Sequence, residues 1–140
     1  LTLHCGLGNY RTTDVEDLTK HKMESEQMFV DAKCCQHVNS AQDANRKILA
    51  VGSTVMRALE VCVGPDGHIK EFEGWTNKFI FPPYEFSVAD AMLVNFQFPY
   101  STLFMLASAF GGYDHVMGAY KEAIKGEYMF GPYGDAMLII

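Results

Sequence analysis

The segment ILAVGSTVMRALE, residues 48–60, decides how the fold is read. Four apolar residues, Ile48 to Val51, read as a buried strand. Gly52 interrupts them, and two hydroxyl residues, Ser53 and Thr54, follow. Apolar positions then recur at helical spacing: Val55, Leu59 and Cys62, with Ala58 and Val63 beside them. A strand therefore hands over to a helix through a glycine, with Ser53 or Thr54 as the expected cap. At such a corner a glycine lets a ligand approach the backbone, and hydroxyls and free amides at a helix N-terminus suit an anionic or carboxylate group. Simple capping accounts for the same residues, because Ser and Thr cap helices generally. Arg57 and Glu60 stand three apart, so they either pair along the helix for about 0.2–0.5 kcal/mol or turn toward a site.

Outward from this corner, strands and helices alternate. LTLHCGLG at the amino end has period two: Leu1, Leu3 and Cys5 face one way, Thr2 and His4 the other, before the flexible Gly6 and Gly8. Residues 25–30 (SEQMFV) read as a strand. SAQDANRKI, with Ser40 and Asp43 three apart, reads as the capping-box start of a short helix, and GPDG at 64–67 as a turn. TNKFIF and DAMLVNF read as strands around Pro82 and Pro83. Ser101 or Thr102 opens a helix apolar on nearly every side, hence buried. Asp114 is expected to cap the next helix, with Val116, Met117, Tyr120, Ala123 and Ile124 as its inner face and Gly126 as its stop. DAMLII closes as a strand. The expected class is α/β: one domain over residues 1–140, with a mixed, largely parallel sheet and flanking helices. Such sheets bind ligands beyond the carboxyl ends of their strands, which singles out Gly52, Ser53 and Thr54 at one corner and Asn95, Ser101 and Thr102 at another.

Composition narrows the class. A chain of 140 residues that is 49% hydrophobic and 20% charged can bury a real core. A net charge of −6 argues against diffuse nucleic-acid binding, so RNA would need a local basic surface such as Arg11, Lys20 and Lys22, or Lys121 and Lys125. The most apolar stretch, 91–112, is broken by Asn95, Gln97, Pro99 and Ser101, too polar for a membrane span. Cys5, Cys34, Cys35 and Cys62 lack zinc-ligand spacing and read as free thiols in a reducing, cytoplasmic setting; no metal is expected. The chain begins at Leu1 inside a strand-like segment, as a piece of a longer polypeptide would.

Taken in order, LHCGLGNYR, HKMESEQ, AVGSTVMRALE, FEGWTNKFI, LVNFQFPYSTLFMLASAFGGY and YGDAMLI resemble the carboxyl-terminal part of the S-adenosylmethionine:tRNA ribosyltransferase-isomerases of queuosine biosynthesis. The resemblance runs from Thr2 to Ile139. It implies the returning half of a larger α/β domain, whose amino-terminal strands and inserted β-barrel domain lie outside this sequence. It also implies a reaction: the ribosyl part of S-adenosylmethionine moves onto the aminomethyl group of a deazaguanine wobble base in the tRNA anticodon region. Adenine and methionine leave, and epoxyqueuosine results.

That chemistry needs a base near the ribose, a proton donor for adenine, donors for developing oxyanions and a seat for the methionine carboxylate. His4, His21 and Arg57 are the resulting catalytic candidates, with Glu26 as an acidic partner. Arg57 is expected to face the site or the tRNA backbone, so that its alanine variant would lose turnover without unfolding. Gly6, Gly8, Gly52, Ser53, Thr54, Asn95, Ser101 and Thr102 are the candidates for binding S-adenosylmethionine. Asp135 suits a ribose hydroxyl or a strand end, and Trp75 the core, the rim or a nucleobase stack. The chain departs from the family pattern at Asn9 and Tyr10 (usually threonine and phenylalanine), Gln97 and Glu24 (usually histidine), Met129 (arginine), Pro132 (serine) and Pro83 (glycine). Histidine exchanges protons near neutral pH and glutamine does not. A catalytically inactive homologue that only binds nucleotide or RNA, and an α/β interaction module, are the competing readings. With half its sheet partners outside the sequence, the chain is expected to self-associate through apolar strand edges.

Overall fold

The computed structural model describes residues 1–140, the Tyr10 side chain excepted. Its strands are β1 (Thr2–His4), β2 (Glu26–Val30), β3 (Leu49–Val51), β4 (Phe72–Thr76), β5 (Ala91–Asn95) and β6 (Ala136–Ile139). Its helices are α1 (Ala32–Asp43), α2 (Ser53–Cys62), α3 (Thr102–Gly111) and α4 (Tyr113–Lys125). The α/β class stands, but the strands form two sheets of three. One, in the order β1-β2-β4, is antiparallel throughout; in the other, β3-β5-β6, only β3 and β5 run parallel.

Local chemistry explains most boundaries and corrects several expectations. Alternation in β2 buries Glu26, Met28 and Val30 against the core. Asp31 then caps α1, its carboxylate accepting from the Cys34 amide at 2.7 Å. Ser40 and Asp43 therefore sit in the last turn of α1 rather than opening a helix; the earlier Asp31 cap had already nucleated it. Ser101 caps α3 by accepting from the Phe104 amide at 3.1 Å. Gly112, at φ 79°, stands at the cap position of α4 instead of Asp114, which lies within the first turn. The inner face of α4 is Val116, Tyr120 and Ala123, while Ile124 is exposed. Residues 77–80 are not a strand; the strand there ends at Thr76.

Ile48–Val51 is not a buried strand either. β3 is an edge strand in which Ala50 is buried while Val51 is 59% exposed. Neither Ser53 nor Thr54 caps α2. The cap position is Gly52, at φ 101° and ψ 135°, and no side chain satisfies the first amides. That conformation is open to glycine almost alone. A Cβ at Gly52 would meet only ordinary contacts, 3.8 Å from Thr54 Oγ1, so the cost of Gly52→Ala comes from the backbone. We expect a loss of about 1–3 kcal/mol, readable as a lower denaturation midpoint at unchanged m-value; an unchanged midpoint would remove the requirement for glycine.

Two apolar clusters fill the interior. The larger joins Met28, Met56, Leu59, Met92 and Leu106 between the sheets and α2. The smaller packs Phe96, Phe104 and Tyr120 under α4. Among the described residues no helix is long and apolar enough to cross a membrane.

Candidate active site

α2 begins where β3 ends, and its first turn faces a hollow of about 280 Å³. Gly52, Ser53 and Thr54 form one wall, and Asn95 and Gln97 another. The Gly52 corner thus meets Asn95 of the other corner, whose Ser101 and Thr102 are not among the lining residues. Phe96 points the other way, into the α4 cluster, so alternation puts Asn95 and Gln97 on the hollow side. The Asn95 amide nitrogen donates to the backbone carbonyls of Gly134 at 3.0 Å and Asp135 at 3.4 Å, which leaves its Oδ1 as the free end. Gln97 is 7% exposed and Ser53 5%, and among the described residues neither side chain has a hydrogen-bond partner. The Gln97 backbone amide is fixed by the Tyr120 hydroxyl oxygen, which accepts from it at 2.8 Å. Among the described residues no charged side chain lines the hollow.

One turn along α2, Arg57 does something the sequence did not suggest. It is 6% exposed and forms an ion pair with Glu26, itself buried in β2. The other guanidinium nitrogen donates to the Met23 sulfur at 2.9 Å. Glu26 Oε1 also accepts from the Gly6 amide at 2.6 Å and from the Asn9 side-chain nitrogen. Burial pushes the Arg57 guanidinium below its ordinary value, but an arginine so lowered stays charged at neutral pH. Arg57 and Glu60 do not pair. Glu60, 2% exposed, accepts from the amides of Ser87 at 2.8 Å and Val88 at 3.1 Å, and from the Tyr84 hydroxyl at 3.1 Å.

The remaining candidates divide by place. His4 touches a small cavity shared with Glu26, Thr54 and Arg57, yet it is exposed and its ring meets Phe29 edge-on at 5.8 Å. The register His4–Gln27–Trp75 runs across the antiparallel sheet, so all three share its outer face, and Trp75 is 67% exposed there rather than in the core. His21 packs against Phe79 at 4.8 Å, outside the hollow. Gly6 and Gly8 likewise lie away from it: Gly6 serves Glu26, and a Cβ at Gly8 would come within 2.8 Å of the Glu24 side chain. Ser101 is occupied as a cap, and the Thr102 hydroxyl donates to the Asn9 carbonyl at 3.3 Å. Asp135 accepts from the Met129 amide at 2.8 Å, as a turn-closing residue does. Among the described residues no three His, Cys, Asp or Glu side chains are grouped as a metal site.

The family model described as queuosine biosynthesis protein matches residues 1–139. The chain belongs to that family. The S-adenosylmethionine:tRNA ribosyltransferase-isomerase of Phocaeicola vulgatus is 64% identical over 140 residues, covering all of this chain and 40% of that relative. The relative of the same name from Cytophaga hutchinsonii is 54% identical with the same coverage. The crystal structure of an S-adenosylmethionine tRNA ribosyltransferase from Thermotoga maritima superposes with a TM-score of 0.77 at 42% identity, over 82% of this chain and 40% of that one. This chain thus spans about two fifths of the length of the relatives it matches.

The departures from the family pattern fall in different places. Gln97 lies in the hollow and Asn9 touches the buried ion pair. Glu24 is at the surface, bridged to Arg11 at 2.5 Å, and Met129 and Pro132 are exposed. Of these five, Gln97 and Asn9 touch the hollow or the pair beside it.

Proposed function

We propose that this chain is the carboxyl-terminal part of the larger domain of an S-adenosylmethionine:tRNA ribosyltransferase-isomerase, and that its hollow receives the S-adenosylmethionine. The supporting observation is the convergence of the Gly52 and Asn95 corners on one hollow whose helix amides are uncapped. Free amides at a helix N-terminus favour an anion, and the methionine portion carries a carboxylate. At about 280 Å³ the hollow is smaller than usual ligand pockets, so it takes part of the molecule and the rest of the full-length protein encloses the remainder. Its side chains, Ser53, Thr54, Asn95 and Gln97, bind and orient. None of them titrates near neutral pH, so removal of the proton beside the sulfonium falls to a group outside the hollow. The acceptor in this reading is the aminomethyl-deazaguanine wobble base of a tRNA, the product is epoxyqueuosine, and the setting is the cytoplasm.

The test is a full-length chimera in which this chain replaces the matching segment of the Phocaeicola vulgatus relative. It is expected to bind S-adenosylmethionine in calorimetry and to ribosylate an anticodon stem-loop carrying the modified base, detected by mass spectrometry. Binding without product would make this chain an inactive binding homologue. Loss of both would leave an α/β interaction module.

A further inference from the structure

We propose that the hollow holds the α-amino-acid end of S-adenosylmethionine, with the carboxylate on the amides that open α2 and the ammonium on the side-chain oxygens of Gln97 and Asn95. The assignment rests on the reading above and adds orientation and a specificity-determining residue to it. The uncapped turn supplies donors at Ser53 and Thr54 and the positive end of a helix dipole. It attracts a carboxylate and repels an ammonium, so the two groups of one amino acid are sorted along the hollow. At the far wall an ammonium needs acceptors. Among the described residues the hollow offers no carboxylate, but two amide residues, Asn95 and Gln97, line it. Asn95 has its nitrogen engaged by two carbonyls, which turns its oxygen to the free side. Gln97 is nine-tenths buried and unpartnered among the described residues, with its backbone anchored by Tyr120, so its amide is held in the hollow with an oxygen to spare.

Calorimetry on the full-length chimera with three ligands tests this: S-adenosylmethionine, its decarboxylated analogue, and 5′-methylthioadenosine, which lacks the amino-acid end. Loss of the carboxylate is expected to weaken binding about tenfold or more, the scale of a hydrogen-bonded charge. Gln97→Met, which keeps the side-chain length, is expected to weaken S-adenosylmethionine about tenfold and to leave 5′-methylthioadenosine unchanged. Equal losses for both ligands, or none for either, would overturn the role of Gln97 while leaving the proposed function intact. Failure of the unsubstituted chimera to bind S-adenosylmethionine would instead remove the reading on which it rests. Gln97→His supplies an independent arm. A neutral imidazole still accepts from an ammonium, whereas a protonated one repels it. This variant should bind S-adenosylmethionine normally at pH 8 and progressively more weakly below about pH 6.5; a flat profile would count against the assignment.

Discussion

Replacing Arg57 by alanine is expected to destabilise the fold by about 3–5 kcal/mol, because it leaves the Glu26 carboxylate buried without its counter-charge. The sequence suggested an arginine whose loss would cost turnover alone; the ion pair with Glu26, with both side chains almost wholly buried, makes it a structural residue first. Denaturant unfolding of the 140-residue chain reads the effect directly. The paired substitution Arg57→Met with Glu26→Met is expected to be markedly milder than Arg57→Ala, since it removes both charges and keeps apolar volume. A loss below about 1 kcal/mol in the single variant, the range of exposed pairs, would show that the two charges are solvated and not buried.

Glu60 should behave similarly for a different reason. Its carboxylate closes the loop before β5 by accepting from the Ser87 and Val88 amides and the Tyr84 hydroxyl. Glu60→Ala strands the buried Val88 amide, at about 1–3 kcal/mol, and releases the part-buried Ser87 amide to solvent. Hydrogen exchange at 87 and 88 is expected to quicken well beyond that of β5, which keeps its ladder to β3 and β6. Equal protection in the variant and the parent chain would mean that the loop is held by packing. Burial and the Glu60 charge together raise the Tyr84 hydroxyl above its ordinary range, so it stays a donor to Glu60 across physiological pH.

Much of this arrangement was legible in residues 48–60. The glycine announced the corner, and the spacing of Val55, Leu59 and Cys62 announced the helix. The convergence of Gly52 and Asn95 followed from where ligands meet sheets of this class. The capping of α2 was misread because Ser and Thr are usual caps, and only the positive φ of Gly52 shows that the turn begins one residue earlier. Ile48–Val51 read as interior because it is apolar; its place at the sheet edge is a matter of topology, which local sequence does not encode. Glu26 was the signal underused. It shares a period-two face with Met28 and Val30, so a strand that buries those residues buries a carboxylate too, and a buried carboxylate demands a cation. His4 was not placed by the sequence: a histidine near a glycine turn suggested catalysis, and the strand register puts it on the face that carries Trp75.

α2 spans ten residues, a rod of about 15 Å. Its first turn borders the hollow beside one sheet, and its next turn is bolted through Arg57 to the other. Such a rod moves as a unit. A displacement of its leading edge by an arriving anion would be felt at Glu26, and through Glu26 at Gly6 and Asn9, segments remote from the hollow in the chain. The buried ion pair ties the helix that opens on one sheet to a strand of the other.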